Sequence, residues 1–386
     1  MNEATLAFIR SHANDDVRQL ALQGKKNPEV EMMYALDQIA GRQKARVKIP
    51  SWAANDGIVY PPHLSMEQCS SEATARYKAQ IAGKGNKIVD LTAGFGVDMA
   101  FMSTNFAEAV HVEQQEALCA ISSANYTCLG LHHIHVVCCD GVAYLHQLEQ
   151  ADVIFIDPAR RNEHGGRTYG ISDCTPNVLE LIDEMLEKAD RVIIKLSPML
   201  DWQKAVSDVG NVSEVHIVSV GNECKELLLV VERKASNLKV FCVNDGQVFS
   251  YTSNDETGSF CQAPSSPQYL YEPNASVMKA GCFQLIAQRF GISQPDKNSH
   301  LFLSEQIIPD FPGRGFAIER ICTMNKRELK TGLAGITQAN IAVRNFPLSV
   351  ADLRKRLKLK DGGDVYIFAT TSAEKGHLLL VCRKIS

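Results

Sequence analysis

The stretch KIVDLTAGFGVD, Lys87 to Asp98, decides how the rest of the chain is read. Ile88 and Val89 continue an apolar run that ends on a carboxylate, Asp90. Thr92, Gly94 and Gly96 follow, and a helical pattern begins at Val97. Glycines take positive φ and let a ligand come close to the backbone. A short strand that ends on an acid and turns through glycines into a helix opens a parallel α/β unit. A phosphate-binding dinucleotide loop wants a further small residue three positions beyond Gly96. Met99 stands there, which argues against a nicotinamide-dependent oxidoreductase.

Downstream, the same unit repeats. Apolar runs at 87–91, 108–113, 134–140, 152–157 and 191–196 alternate with helix-like segments near 97–105, 114–130, 141–149 and 176–189. That alternation predicts an α/β, doubly wound parallel sheet. SEVHIVSVGNECKELLLVVERK (213–234) closes it as an antiparallel hairpin turning at Gly221-Asn222. The first four runs end on Asp90, Glu113, Asp140 and Asp157, and in open α/β sheets the ligand crevice lies outside those ends. Glu113 follows Asp90 by 23 positions, the spacing of a carboxylate that takes both hydroxyls of a ribose. Asp140 is placed to meet the exocyclic amine of an adenine. The fourth run, ADVIFIDPARR (151–161), delivers Asp157 and follows it with Pro158, Ala159 and two arginines.

Around this core the pattern changes. Residues 1–64 are mainly helical, with Val30, Met33, Tyr34, Leu36 or Asp37, and Ala40 near helical spacing. One helix is expected over 66–82, with Ser65 as its N-cap and Gln68 completing a capping box. Beyond 234, a hairpin turns on Asn244-Asp245-Gly246 and a polar, Pro- and Ser-rich loop covers 253–268. A single helix within 272–291 closes on Gly291. Strand-like runs at 315–322, 340–344, 364–371 and 377–384 surround a basic helix within 349–363. The expected division is therefore 1–64, 65–234, a small α+β (ferredoxin-like) part at 235–311, and a basic part at 312–386.

Length fits two or three domains, and no apolar run approaches the roughly 20 residues of a spanning helix. The N-terminus lacks a secretory pattern, so the expected compartment is the cytoplasm. The 12 cysteines form no C-x-x-C and mostly lie in apolar runs, as buried thiols do. His132, His133 and His135 lack ligand spacing, and no metal is expected. Net charge is -4, yet Pro312–Ser386 carries 14 Lys and Arg against 6 Asp and Glu. A basic module on an acidic body suits a polyanionic partner.

Taken together, the ordered set resembles the class I S-adenosylmethionine-dependent methyltransferases over about residues 65–234. The resemblance implies a Rossmann-like sheet with S-adenosyl-L-methionine as cofactor. It gives the loop cradling the methionine part to Asp90, Thr92, Ala93, Gly94 and Gly96. Ribose then goes to Glu113 with Gln114, and adenine to Asp140 with Gly141. EQCSSEATARYKA precedes the first strand where the family holds the cofactor carboxylate, which makes Gln68 and Ser71 candidates. EQCSSEATARYK, IDPARR and RNFPLSVADLRKRLKLKDGGDVYIFATT together are similar to a bacterial group of these enzymes with a C-terminal THUMP-like domain. THUMP domains are RNA-binding modules, so the basic end implies tRNA or rRNA as partner.

Nucleobase amine methyltransferases carry Asp/Asn-Pro-Pro-aromatic where this chain has Asp157-Pro158-Ala159-Arg160. By that resemblance Asp157, Pro158 and Arg160 form the acceptor site, with Asp157 also bordering the cofactor. The missing aromatic speaks against adenine N6, and guanine N2 is the favoured target. An Arg can stack on a base or pair with a phosphate. Pyrimidine C5 enzymes use Asp-Pro-Pro-Arg with a Cys nucleophile, for which Cys174 is the nearest downstream candidate. Arg160, Arg161 and Arg167 with Gly165 and Gly166 can form a closing loop, and Lys195 and Ser197 end the fifth strand with their roles open. The competing readings are a small-molecule or protein methyltransferase, and a cofactor-binding RNA-binding protein without turnover.

Overall fold

A computed structural model describes residues 2–22, 27–160, 170–234, 237–255, 264 and 266–385. It has two compact units, Met1–His216 with Lys225–Leu238, and Ile217–Cys224 with Lys239–Ser386.

The first unit begins with helices α1 (Glu3–Ser11), α2 (Val17–Leu22), α3 (Met32–Lys48) and α4 (Pro50–Ala53). Phe8, Leu20, Ala35 and Ile39 form their core, with Val30, Met32 and Leu36 against it. Met33 is 79% exposed, so the buried face of α3 is not centred where its spacing suggested. The packing of α1 and α2, and reciprocal 2.8 Å bonds between Gln38 and the backbone of Tyr60, set that face instead.

The helix expected over 66–82 is two helices, α5 (His63–Gln68) and α6 (Glu72–Ala82). Ser65 lies inside α5 rather than capping it. Ser71, extended at φ -77° and ψ 158°, is the cap of α6 and accepts from the Thr74 N–H. A second cap residue in the run therefore breaks the helix and turns Ser70 inward.

Strands β1 (Gly85–Asp90), β2 (Phe106–Glu113), β3 (Ile134–Cys138) and β4 (Ala151–Ile156) follow. A two-residue ribbon, β5 (Ala159–Arg160) with β6 (Cys174–Thr175), leads to β7 (Ala189–Leu196), β8 (Val212–Val220) and β9 (Glu223–Glu232). The sheet order runs β3-β2-β1-β4-β7-β9-β8. Every pairing from β3 to β7 is parallel, and β9 enters antiparallel beside β7. Between the strands lie α7 (Val97–Met102), α8 (Glu116–Cys128), α9 (Gly141–Gln147), α10 (Val178–Lys188) and α11 (Trp202–Val209). Ile88, Val89, Ile154, Phe155, Ile193, Leu228 and Leu229 are buried, as strands covered on both faces must be. The chain reverses direction of winding at β1/β4, the switch point where such sheets open a crevice.

The second unit contains the hairpin β10 (Lys239–Asn244) and β11 (Gln247–Thr252). Asp245 and Gly246 both have positive φ, the requirement of a two-residue I′ turn. Its other sheet orders β13-β12-β14-β17-β16-β15, built from β12 (Tyr269–Pro273), β13 (Phe302–Ser304), β14 (Gly313–Thr323), β15 (Asn340–Arg344), β16 (Val365–Ser372) and β17 (Gly376–Lys384). The helix expected within 272–291 is again two, α12 (Ala275–Ala280) and α13 (Phe283–Phe290), because Gly281 turns left-handed at φ 72° and ends the first. α14 (Lys326–Gly332) with Leu333 just after it, and α15 (Val350–Leu357), lay Leu329, Leu333, Leu353 and Leu357 onto one face of this sheet. Among the described residues no helix is long and apolar enough to cross a membrane.

Candidate functional site

The carboxyl ends of β1, β2 and β4 come together at the switch point. Asp90 is buried, and its Oδ1 accepts from the Thr92 N–H at 2.9 Å. Burial, then the nearby charges of Asp98 and Asp157, push the Asp90 carboxyl well above the usual range against the pull of the Thr92 N–H. Thr92 Oγ1 in turn accepts from the Asp157 N–H at 2.7 Å. The glycine loop and the acceptor candidate are thus joined by one threonine. The Ala93 N–H donates to the Val112 carbonyl, which ties the loop to β2.

Gly94 donates its N–H to Glu113 Oε2 at 3.0 Å, and Gln115 donates to Oε1 at 2.8 Å. A carboxylate has about four acceptor sites, so two backbone bonds leave room for ribose hydroxyls. Gly96 sits at φ 83°, and a Cβ there would lie 2.1 Å from the Tyr126 hydroxyl oxygen. That hydroxyl donates to the Gly96 carbonyl, so the 2.7 Å bond with His111 Nδ1 must be donated by the imidazole. Burial lowers His111 to about 3, which keeps it neutral, and its Nε2 has no partner. Phe95, between the two glycines, meets Trp52 edge-on at 5.2 Å, so the N-terminal helices buttress the loop.

Asp140 is exposed and caps α9, accepting from Val142 and Ala143 at 3.0 Å each. A Cβ on Gly141 would lie 2.1 Å from the Leu91 carbonyl oxygen, so only glycine fits beside the loop after β1. Gln68 and Gln114 are exposed. Ser71 spends its hydroxyl on the α6 cap. Pro158 is buried behind Asp157. The Arg160 backbone pairs with Cys174, which is buried; the Arg160 side chain and the loop with Arg161, Gly165, Gly166 and Arg167 lie outside the described residues. Ser197 Oγ accepts from the Met199 N–H. His132 and His135 are exposed. Among the described residues no His, Cys, Asp and Glu group has metal-holding geometry.

A chain of buried ions lies beneath Asp157. Lys195 Nζ is 2.5 Å from Asp157 Oδ2 and 3.7 Å from Asp98 Oδ2. Lys78 on α6, fully buried, meets both oxygens of Glu226 at 2.6 and 2.7 Å. It also lies 3.2 Å from Asp98 Oδ1, an ion pair without hydrogen-bond alignment. Ser70 donates to Asp98 Oδ2 at 2.7 Å. Burial opposes the charge on Asp98, but Lys78 and Lys195 outweigh it and hold the carboxyl below its usual value. Burial likewise opposes the charge on Lys195, and Asp157, then Asp98 and Glu226, raise it above the ordinary lysine range. Ser70, Lys78, Asp98 and Glu226 were not picked out from the sequence. The usable signal was a lone charge inside apolar strands, Glu226 in KELLLVV and Lys195 in VIIKL, since buried charges need partners.

This sheet, its glycine loop and the acids at its strand ends define a class I S-adenosylmethionine-dependent methyltransferase. The crystal structure of a candidate methyltransferase from Porphyromonas gingivalis W83 superposes with a TM-score of 0.88 at 31% identity, covering 100% of both chains. The chain belongs to this family, the methyltransferases with a C-terminal THUMP-like domain. The THUMP domain-like family matches residues 313–384 and a ferredoxin-like domain family matches 269–312. An uncharacterized S-adenosylmethionine-dependent methyltransferase of Mycobacterium tuberculosis (strain H37Rv) is 23% identical over 316 residues, 79% of this chain and 83% of that one. Ribosomal RNA small subunit methyltransferase J of Legionella pneumophila (strain Philadelphia 1) is 32% identical over 83 residues, 19% of this chain and 34% of that one.

Proposed function

We propose that the chain methylates an exocyclic amine of a base in structured RNA, rRNA or tRNA, with guanine N2 favoured over adenine N6. The observation that carries this is Asp157. Its N–H is tied to Thr92 of the glycine loop and its Oδ2 to Lys195, while Oδ1 has no partner among the described residues. Methyl transfer from a sulfonium to a lone pair is chiefly a matter of alignment. S-adenosylmethionine supplies the electrophilic methyl group. Asp157 Oδ1 takes an N–H of the amine, aims its lone pair and is the nearest acceptor for the proton released.

In this reading Gly94 and Gly96, with Asp90, Thr92 and Ala93, cradle the methionine part. Glu113 with Gln114 takes the ribose, Asp140 with Gly141 the adenine, and Gln68 and Ser71 border the carboxylate end. The donor set suits the cofactor: carboxylates at the hydroxyl and amine ends, and glycine where backbone must come close. Pro158 stiffens the acceptor strand end, and Arg160 is reserved for the base or a phosphate.

The RNA part rests on the second unit. Lys326, Arg327 and Lys330 on α14, and Lys355, Arg356, Lys358 and Lys360 on or just after α15, are exposed. None of them has an ion-pair partner among the described residues. The acids beside them are engaged internally: Glu328 with Thr323, Asp352 with Ser349, and Asp361 with Arg354. Such a layer attracts phosphates. The partial likeness to an rRNA methyltransferase supports the same substrate class. Residues 65–234 would then do the chemistry and 312–386 hold the RNA, with 1–64 bracing the loop, 235–311 as the intervening α+β part, and the cytoplasm as the compartment.

The test is to incubate wild type and Asp157→Ala with labelled cofactor and bulk RNA from a strain lacking the gene, then identify the product by nucleoside mass spectrometry. Wild type should label one nucleoside, and the variant should be slower by about 100-fold or more. Equal labelling by both removes Asp157 from the mechanism. No labelling of any RNA by wild type removes the substrate class, and N6-methyladenosine as product removes the base preference.

A further inference from the structure

The fifth parallel strand, β7, carries a lysine one residue before its end. Lys195 is 13% exposed at its side chain, and its ammonium is wedged between Asp157 Oδ2 and Asp98 Oδ2. A simple buried pair would need only one of these. Asp98 is already held by Ser70 and flanked by Lys78, and Lys78 is already matched by both oxygens of Glu226. Two lysines therefore face three acids, and the acid at the exposed end of the row is Asp157, with its side chain 37% exposed. The far end of the row is fixed in the core: Lys78 is fully buried, and Glu226 is 3% exposed. A carboxylate free at the mouth of a crevice would rotate about its Cβ–Cγ bond and present either oxygen. Here one oxygen is bound from below, and the backbone N–H of the same residue is bound by Thr92.

We propose that Lys195 is a positioning residue for methyl transfer: by holding Asp157 Oδ2 it fixes the carboxylate in one orientation, with Oδ1 alone presented to the acceptor amine. This rests on the reading of Asp157 as the residue facing the acceptor. Lys195 touches neither cofactor nor acceptor in this role; it acts through Asp157. Asp98, Lys78 and Glu226 hold the lysine in turn, so the acceptor carboxylate is anchored to α6, α7 and β9 rather than to a loop.

The positioning is tested without any acceptor. In protein carrying labelled lysine, the Lys195 side-chain signal is assigned by its loss in Lys195→Arg. It should titrate above the ordinary lysine range in wild type and at lower pH in Asp157→Asn, because its strongest attraction is gone. An unchanged titration in Asp157→Asn overturns the pairing and the proposal with it. The consequence for chemistry is read with the bulk RNA of the previous test. Lys195→Met should lower the rate at saturating RNA by about 10- to 100-fold, with little change in the RNA concentration for half-maximal rate. Lys195→Arg should recover part of it. Lys195→Met combined with Asp157→Asn should be no slower than Asp157→Asn alone. S-adenosylhomocysteine binding, measured by calorimetry, should be unchanged in Lys195→Met and Lys195→Arg. A Lys195→Met that methylates like wild type, or that loses S-adenosylhomocysteine affinity along with rate, overturns the proposal. If wild type labels no RNA, the RNA reading falls while the lysine titration still decides the positioning.

Discussion

The charges of the two units are used in opposite ways. Beneath Asp157 in the first unit, Lys78, Lys195, Asp98 and Glu226 are buried or nearly so, and each is within 4 Å of an opposite charge. On the helix layer of the second unit, seven cations are exposed without ion-pair partners among the described residues, and the acids beside them are tied up. Buried pairs are little screened by salt and resist movement. Exposed unpaired cations do almost nothing for folding and act at range. In the proposed reading one arrangement orients a reacting group, and the other attracts a polyanion.

The largest test of that contrast removes one charge from each unit. Lys78→Met leaves Glu226 and Asp98 buried without their common partner, and breaking a buried pair in this way costs about 3–5 kcal/mol. Urea unfolding should show that loss in the first unit. Lys355→Gln should leave the melting temperature within about 2 °C of wild type. Equal effects would mean that the buried row is no more than a solvated surface network.

How far the sequence revealed this follows the same division. The glycine loop and the four strand-end acids were legible because period and turn chemistry place them without knowledge of tertiary contacts. The ion row was not legible, since its members stand as far apart as Lys78 and Glu226, separated by 148 positions. Lys78 in TARYKAQ looks like a solvated helix residue, and Asp98 looks like a first-turn acid. The two split helices failed for a local reason. Ser71 and Gly281 offered an earlier stop inside a pattern whose apolar spacing continued across it.

A smaller effect separates the two kinds of charge by pH. His111 is lowered to about 3 by burial, against about 6.5 in an unfolded chain. Its neutral form is therefore built into the fold, and the stability it supports is present above about pH 6.5 and lost as pH falls toward 3. By pH 5 the loss is about 2 kcal/mol. His216, also lowered by burial, adds in the same direction. Melting curves from pH 7 to 5 should fall less steeply in His111→Phe than in wild type. An identical fall would show that the imidazole between β2 and Tyr126 is not shielded from water.

The finest cut lies within the helix layer itself, where one basic residue behaves like those of the first unit. Arg354 donates to the carbonyls of Ala339 and Lys360 at 2.9 and 3.0 Å and pairs with Asp361 at 2.6 Å. Its neighbours Lys355 and Arg356 project outward. A count of basic residues along α15 treats all three alike, but their geometry does not. Arg354→Gln should cost about 1 kcal/mol of stability and leave the dependence of RNA binding on salt unchanged. Lys355→Gln or Arg356→Gln should do the reverse: no change in melting, and a log–log salt slope shallower by about 0.7–0.9 for each phosphate no longer neutralised. Binding titrations on bulk tRNA at several salt concentrations measure that slope. If Arg354→Gln flattened it as much as Arg356→Gln, net charge alone would govern the attraction. If neither outward cation changed it, RNA would bind elsewhere than this layer.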